Sequence, residues 1–331
     1  MKTELNLGWG ESIAVRQAFI ETLSGAPLMF DMDSLENMGY PAHDGDPDLI
    51  KLTKRVIKRN IGRDYEHVLI TNGATGGVTL ALRTYALLGR KQCWTEKPPY
   101  FRFYPDMIHQ AGLTHLKMGK DVNLIENAVH LLDSPSNPLG RFSTRDLDLL
   151  HNPTVWDTVY FNKVYSPGNY PQPYHSLLVG SYSKLLGLNG LRVGWIATND
   201  SLLYLSLKSV VAAEYCGISV PSAKIILKTA GKFSDKHWES FERQANFWLD
   251  WNRGEFSKLE KFFGDTPVLP VGMFYYAPID KQCRALLEKS GIVWSPGSQL
   301  GTTDDFGRFN VGQDPKIIRK AVKEILKNDK R

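Results

Sequence analysis

The residues best suited to chemistry form one segment, Ser181-Tyr-Ser-Lys-Leu-Leu-Gly-Leu-Asn-Gly-Leu-Arg-Val-Gly194. It lies where one short apolar run ends and another begins. A lysine with a lowered pKa is a nucleophile toward carbonyl carbon and forms Schiff bases. Arginine and hydroxyl side chains are good ligands for phosphate. Together these residue types suit a reagent that carries both an aldehyde and a phosphate. A second segment, Leu69-Ile-Thr-Asn-Gly-Ala-Thr-Gly-Gly77, reads as a strand entering a helix through a Gly-rich turn. The first backbone N–H groups of such a helix are free and point at an anion. The three cysteines, Cys93, Cys216 and Cys283, show neither disulfide-framework nor zinc-ligand spacing, so no metal is expected.

The lysine segment resembles the cofactor-lysine signature of fold-type I pyridoxal phosphate (PLP) enzymes, specifically the class I/II aminotransferases (histidinol-phosphate/aspartate aminotransferase-like). That signature is S-x-S-K-x-x-G-x-x-G-x-R-x-G. All seven fixed positions are present as Ser181, Ser183, Lys184, Gly187, Gly190, Arg192 and Gly194. With each residue type at ordinary abundance, a chance match in a chain of this length is on the order of one in a million. The similarity extends over roughly residues 5 to 325.

The resemblance implies further parts. Asp157-Thr-Val-Tyr160 is similar to the family's D-x-x-Y, in which the acid keeps the pyridine nitrogen protonated and the tyrosine bonds the phenolic oxygen. Asn137, in Asn137-Pro-Leu-Gly140, would also bond that oxygen. Gly73, Ala74 and Thr75 would cradle the phosphate with Ser181, Ser183 and Arg192. Tyr100, in Pro98-Pro-Tyr100, would stack on the ring. Tyr40 would reach the phosphate of a neighbouring subunit, which implies a homodimer with shared sites. Arg308 would hold the substrate α-carboxylate, and Gly10 would lie over the substrate.

The implied activity is that of a PLP-dependent aminotransferase, in which Lys184 forms an internal aldimine and then shuttles the α-proton. An amino group would pass from an L-amino acid to a 2-oxo acid by ping-pong kinetics, within amino acid metabolism. Other reactions on the same fold, by a β-lyase, decarboxylase or oxidase, share these motifs, and a non-catalytic sensor is a further alternative. The sequence departs from the family pattern at Thr158, where an acid is usual, and at Gly10-Glu-Ser12. The interval from Asn137 to Asp157 is compressed, so a trimmed helix is expected there. Trp9, Glu11, Arg102, Asn162 and Lys163 lie near site segments, and none of them identifies the amino donor.

Positioning these groups requires an α/β frame. Val-, Ile- and Leu-rich runs at 67–70, 129–132, 154–156, 177–179 and 193–196, bounded by turn residues, read as buried strands of a mostly parallel sheet. Helical patterns at 48–58 and 77–88 lie between strands. Beyond about residue 200 the texture changes. Helices are predicted over 201–211, 222–232, 236–251 and 315–327, with strand-like pieces at 273–277 and 291–294. The fold class expected is therefore α/β, the PLP-dependent transferase fold, with a large domain over 35–205. Residues 1–34 and 206–331 would form a smaller α+β domain.

The chain has 331 residues with 40 Lys+Arg against 35 Asp+Glu, and a net charge of +5 is too mild to argue for a nucleic-acid partner. No apolar run is long enough to span a membrane. The N-terminus lacks the layout of a signal peptide, and with unpaired thiols the expected location is cytoplasmic.

Overall fold

The structure is a computed structural model, and it describes residues 5–23, 39–117, 127–142, 152–166, 177–269 and 271–329. The elements are, in order, β1 (Leu5–Asn6), α1 (Ile13–Thr22), α2 (Pro47–Ile61), β2 (His67–Thr71), α3 (Gly73–Leu87), β3 (Gln92–Thr95), α4 (Tyr104–Gln110), β4 (Thr114–Lys117), β5 (Ala128–Asp133), β6 (Thr154–Asp157) and β7 (Leu177–Ser181). They continue with α5 (Tyr182–Leu185), β8 (Gly194–Thr198), α6 (Ser201–Glu214), α7 (Val220–Lys228), α8 (Asp235–Ser257), β9 (Phe274–Pro278), α9 (Lys281–Lys289), β10 (Ile292–Val293), β11 (Ser295–Pro296), β12 (Phe306–Asn310) and α10 (Pro315–Asn328).

Seven strands form the main sheet in the order β2-β8-β7-β6-β5-β3-β4. The pairs from β7 through β6, β5 and β3 to β4 are parallel, whereas β8 is antiparallel to both neighbours. The sheet is thus mixed and mostly parallel, as the apolar runs predict. β5 to β7 are buried almost throughout, because helices cover both faces. One face packs against α1, α2, α7 and the first half of α8, through Phe19, Val56, Ile226 and Phe241. The other packs against α3, α4 and α6, through Val78, Ile108 and Leu207.

Local signals explain the helix limits. Asp46 caps α2 by accepting from the N–H groups of Asp48 and Leu49, Pro47 opens the helix, and Gly62 ends it in a left-handed conformation. The predicted 236–251 helix runs on to Ser257, because Phe256 is an apolar anchor past the exposed Gly254. The predicted 222–232 helix stops at Lys228, and a 3-10 turn over 230–232 follows. The trimmed helix expected between Asn137 and Asp157 would fall in 143–151, outside the described residues.

A third apolar cluster joins Leu5 and Leu7 to Phe256, Tyr275, Leu287, Phe309 and Ile325. It is the core of a smaller α+β lobe, built on the antiparallel sheet β11-β12-β9 with α9 and α10. α6, which spans the boundary expected at 205/206, and α7, which follows it, bury their apolar faces in the clusters of the large sheet. The boundary expected at 34/35 lies outside the described residues.

β8 must run very close to the start of α3. A Cβ on Gly194 would stand 2.5 Å from the Gly73 carbonyl carbon, 2.7 Å from the Gly180 oxygen and 2.8 Å from the Ala74 nitrogen. All three are backbone atoms that cannot rotate away. Gly194→Ala is therefore expected to lower stability by about 3 kcal/mol, read as a shift of the urea midpoint with an unchanged slope.

Candidate active site

The carboxyl ends of the parallel strands β5, β6 and β7 carry Asp133, Asp157 and Ser181, and the N-terminus of α3 lies beside them. Open α/β sheets bind ligands at this edge. A cavity of about 640 Å³ opens there, and the small lobe closes its far side with Phe274, Trp294, Ser295 and Arg308.

Ser181 sets the position of Lys184. Its hydroxyl donates to the Val193 carbonyl at 3.0 Å and accepts from the Ser183 N–H at 3.0 Å, capping the single turn of α5. Lys184 follows on that turn, and its amine donates to the Gly10 carbonyl. Burial, aided by the charges of Arg308 and Arg192, lowers its pKa to about 8. The neutral fraction is thus a minority near physiological pH, roughly a fifth at pH 7.4, but far larger than for an ordinary lysine.

An anion cup lies at the start of α3. Asn72 makes no side-chain cap, and Ala74 and Thr75 line the cavity. Arg192 donates to the carbonyls of Asn189 (3.0 Å) and Asn72 (3.4 Å) and to the Ser183 hydroxyl (3.5 Å). Gly73 has φ of +70°, and a Cβ there would stand 2.5 Å from the Arg192 guanidinium. Glycine thus keeps the cup open.

On the opposite wall, the Arg308 guanidinium donates to Asn137 Oδ1 (3.1 Å), the Gly8 carbonyl (2.9 Å) and Ser295 Oγ (3.1 Å). It lies 4.2 Å from the centre of the Phe274 ring. Among the described residues its buried Nε has no hydrogen-bond partner. Burial lowers its pKa to about 10. Among the described residues it has no ion-pair partner, so its hydrogen bonds all go to neutral groups.

Asp157 accepts from the Val159 N–H (3.1 Å) and the Tyr104 hydroxyl (2.9 Å). Burial outweighs both bonds and raises its pKa to about 6. Asp133, its register neighbour on β5, accepts from the Asn137 N–H at 2.8 Å, and burial pushes its carboxyl well above the usual range. Tyr160 borders the cavity, and burial keeps it a protonated phenol.

The cavity thus gathers Gly10, Ala74, Thr75, Asn137, Asp157, Tyr160, Ser181, Ser183, Lys184, Arg192 and Arg308, with Gly73 directly beneath its phosphate corner. Two residues lie elsewhere. Tyr100 does not line the cavity. Its ring is locked in the core beside Tyr104 and His115, and its N–H bonds the Leu300 carbonyl. The next residue, Phe101, supplies the aromatic wall instead. Tyr40 is 94% exposed and does not line the cavity of its own chain. Sequence reasoning missed Phe101, Tyr104, Asp133, Phe274 and Ser295. The run Tyr100-Phe-Arg-Phe-Tyr104 held a signal, since several aromatics there compete for one role.

The residues present fit PLP: a buried amine of lowered pKa, a cup of amides and guanidinium, and a buried carboxylate. An amine that would hold an aldehyde and a cup at α3 that would hold a phosphate fit the class of fold-type I PLP enzymes. The chain belongs to the aminotransferase class I and II family, whose family model matches residues 6–325, and it is a PLP-dependent aminotransferase. It is 24% identical to an aspartate/prephenate aminotransferase of Cereibacter sphaeroides, over 86% of this chain and 82% of that one. It is also 24% identical to a (5-formylfuran-3-yl)methyl phosphate transaminase of Methanocaldococcus jannaschii, over 78% and 74%. Among solved structures, an aromatic aminotransferase of Pyrococcus horikoshii superposes with a TM-score of 0.78 at 15% identity, over 99% of this chain and 96% of that one. Among the described residues no helix is long and apolar enough to cross a membrane, and no acidic, His or Cys cluster could hold a metal ion.

Asp157 yields a pH test on the protein without cofactor. Its folded pKa of about 6 lies above the ordinary 3.8, so burial favours the protonated form. Its contribution is fully favourable below pH 3.8 and is lost as the pH rises through 6. Asp157→Asn should therefore be more stable than the parent at pH 7.5, by up to about 3 kcal/mol. The gap should close at pH 4, as followed by urea unfolding. A variant equally destabilised at both pH values would contradict the assignment.

Proposed function

We propose that this cavity moves an amino group between an L-amino acid and a 2-oxo acid, with Lys184, Asp157, Tyr160 and Arg308 at the centre of the chemistry. The observation that carries the reading is the buried Lys184 amine with its pKa lowered to about 8. Bound there, PLP supplies an aldehyde that captures amines and a ring that draws electrons from the substrate α-carbon.

Lys184 would hold the aldehyde, and its amine, when free, would serve as general base for the substrate α-proton. It must first leave the Gly10 carbonyl, which occupies its amine in this structure. Ser183, Arg192 and the first amides of α3 hold the phosphate. Asp157 keeps a proton on the ring nitrogen, since a carboxylate favours the cation beside it. Tyr160 and Asn137 donate to the phenolic oxygen. The Asn137 carbonyl oxygen is taken by Arg308, which leaves its amide N–H₂ for that task. Phe101 covers the ring, in the place first expected of Tyr100. Arg308 takes the α-carboxylate as a two-pronged donor, with Gly10 above the substrate.

The lobes are proposed to divide within α8, where its buried residues pass from Leu249 in the first cluster to Phe256 in the third. Tyr40, nearly fully exposed, is proposed to complete the phosphate site of a second copy, giving a homodimer. The free thiols support a cytoplasmic setting.

The test combines spectra and kinetics. Protein with PLP should show a visible band that one amino acid bleaches and a 2-oxo acid restores, and Lys184→Ala should show no such band. Arg308→Lys should keep the band and lose about 100-fold in kcat/KM for α-amino acids, since a charged two-pronged contact is lost. A band that bleaches with ammonia release, or that persists without Lys184, would reject the reading.

A further inference from the structure

Tyr40 opens the loop 40–46 that leads into α2, and among the described residues its side chain makes no hydrogen bond or ring contact. Where its ring can reach is therefore set by its backbone. That backbone is fixed through Asp44. The Asp44 carbonyl accepts from the Ile70 N–H at 2.8 Å, which ties the loop to β2. The Asp44 carboxylate reaches α6, where Oδ2 accepts from the Tyr204 hydroxyl at 2.5 Å and from Lys208 Nζ at 3.0 Å. Burial alone would raise the Asp44 pKa, but the two donors outweigh it and hold the group below its ordinary value. Tyr204 is itself fixed from β2. His67 stacks on its ring at 4.5 Å, and His67 Nε2 lies 2.9 Å from Ser201 Oγ.

Two glycines let the loop lie in this notch. Gly45 has φ of +110°, and a Cβ there would stand 2.6 Å from Ile70 Cγ1. Gly217, between α6 and α7, has φ of +113°, and a Cβ there would stand 2.8 Å from Pro41 Cγ. Pro41 follows Tyr40 directly, so this turn backs the residue next to the tyrosine. Asp44, Tyr204 and Lys208 do not line the cavity, and the proposed function gives them no task.

We propose that Asp44, clamped by Tyr204 and Lys208, is a positioning residue that aims Tyr40 at the phosphate of a second copy. Asp44 touches no ligand itself. This deepens the aminotransferase reading and rests on the role proposed there for Tyr40. An exposed tyrosine on a loose loop gives up backbone and side-chain freedom when it binds. A loop clamped to β2 and α6 has already given up the backbone part, so more of the phosphate contact appears as affinity.

The test is binding of cofactor to the full chain freed of it, followed by the visible band. The probes are PLP and pyridoxal, which has the same ring and aldehyde without the phosphate. Tyr40→Phe should weaken PLP about tenfold, the size of one hydrogen bond to a charged group, and leave pyridoxal unchanged. Asp44→Asn should show the same selective loss. Tyr204→Phe, which deletes one hydroxyl, should show about a threefold loss. On top of Tyr40→Phe, Asp44→Asn should add nothing. Parent-like PLP affinity in Asp44→Asn, beside a weakened Tyr40→Phe, would overturn the clamp and leave the role of Tyr40 standing. An equal loss for PLP and pyridoxal would also overturn it, since a merely loosened fold does not distinguish them. So would a full loss that persists on top of Tyr40→Phe. Parent-like affinity in Tyr40→Phe would reject the role of Tyr40 and the clamp with it. Binding is read without turnover, so the selective loss in a protein that no amino acid bleaches would uphold the clamp and reject the aminotransferase reading.

Discussion

Two cations, Lys184 and Arg308, face one desolvated space with the more exposed Arg192 at its rim, and among the described residues none of the three has an ion-pair partner. Buried charge is costly unless something answers it. Here the answer is a set of neutral oxygens: the carbonyls of Gly8, Gly10, Asn72 and Asn189, with Ser295 and Asn137 side chains. Such oxygens hold cations in place without neutralising them. The site therefore keeps its positive field for the phosphate and carboxylates that its ligands carry. Most of the architecture serves to keep these charges together.

The stretch from Gly8 to Glu11 shows how this is arranged. It is pinned by the groups that ligands must engage: Arg308 holds the Gly8 carbonyl and Lys184 the Gly10 carbonyl. A separate clamp keeps it in place, since Asn310 donates to the carbonyls of Trp9 (2.6 Å) and Glu11 (2.7 Å). Lys184 can thus exchange its carbonyl for a ligand while the strand stays attached to β12. On the sheet side, glycines at 73 and 194 allow β8, α3 and Arg192 to meet at backbone distance. A methyl group at either position would separate the phosphate corner from the lysine turn.

Much of this was legible in the sequence because the chemistry is local. Ser181, Ser183, Lys184 and Arg192 lie on one strand–turn–strand, and Asp157 ends a strand whose apolar run is plain. Arg308 was legible through the family resemblance of the Phe306-Gly-Arg-Phe-Asn310 segment near the C-terminus. What was not legible depends on which way a side chain faces in a run where several types would serve. Tyr100 and Phe101 are adjacent aromatics, and packing against Tyr104 and Leu300 decides between them. The tyrosine that bonds Asp157 comes from 53 residues away, and no periodicity reports such a pairing. The limits of the lobes were hidden for a related reason. α8 runs from one core to the other as a single helix, and only the buried polar pair Asn252 and Arg253, which bond the carbonyls of Val311, Gln313 and Gly272, separates Leu249 from Phe256.

In the proposed function, Asn137 would tie substrate recognition to the cofactor ring. Its backbone N–H is held by Asp133 and its side-chain oxygen by Arg308. An amide whose oxygen is committed to a guanidinium can only donate from its other end. The cation that reads a carboxylate therefore also fixes the direction of the hydrogen bond offered to the ring. If a bound carboxylate draws Arg308 away from Asn137, the amide gains freedom as substrate arrives. Asp133 then matters for a plain reason. A buried carboxyl, its pKa pushed up by burial, accepts from the Asn137 N–H and so holds the backbone that carries the amide.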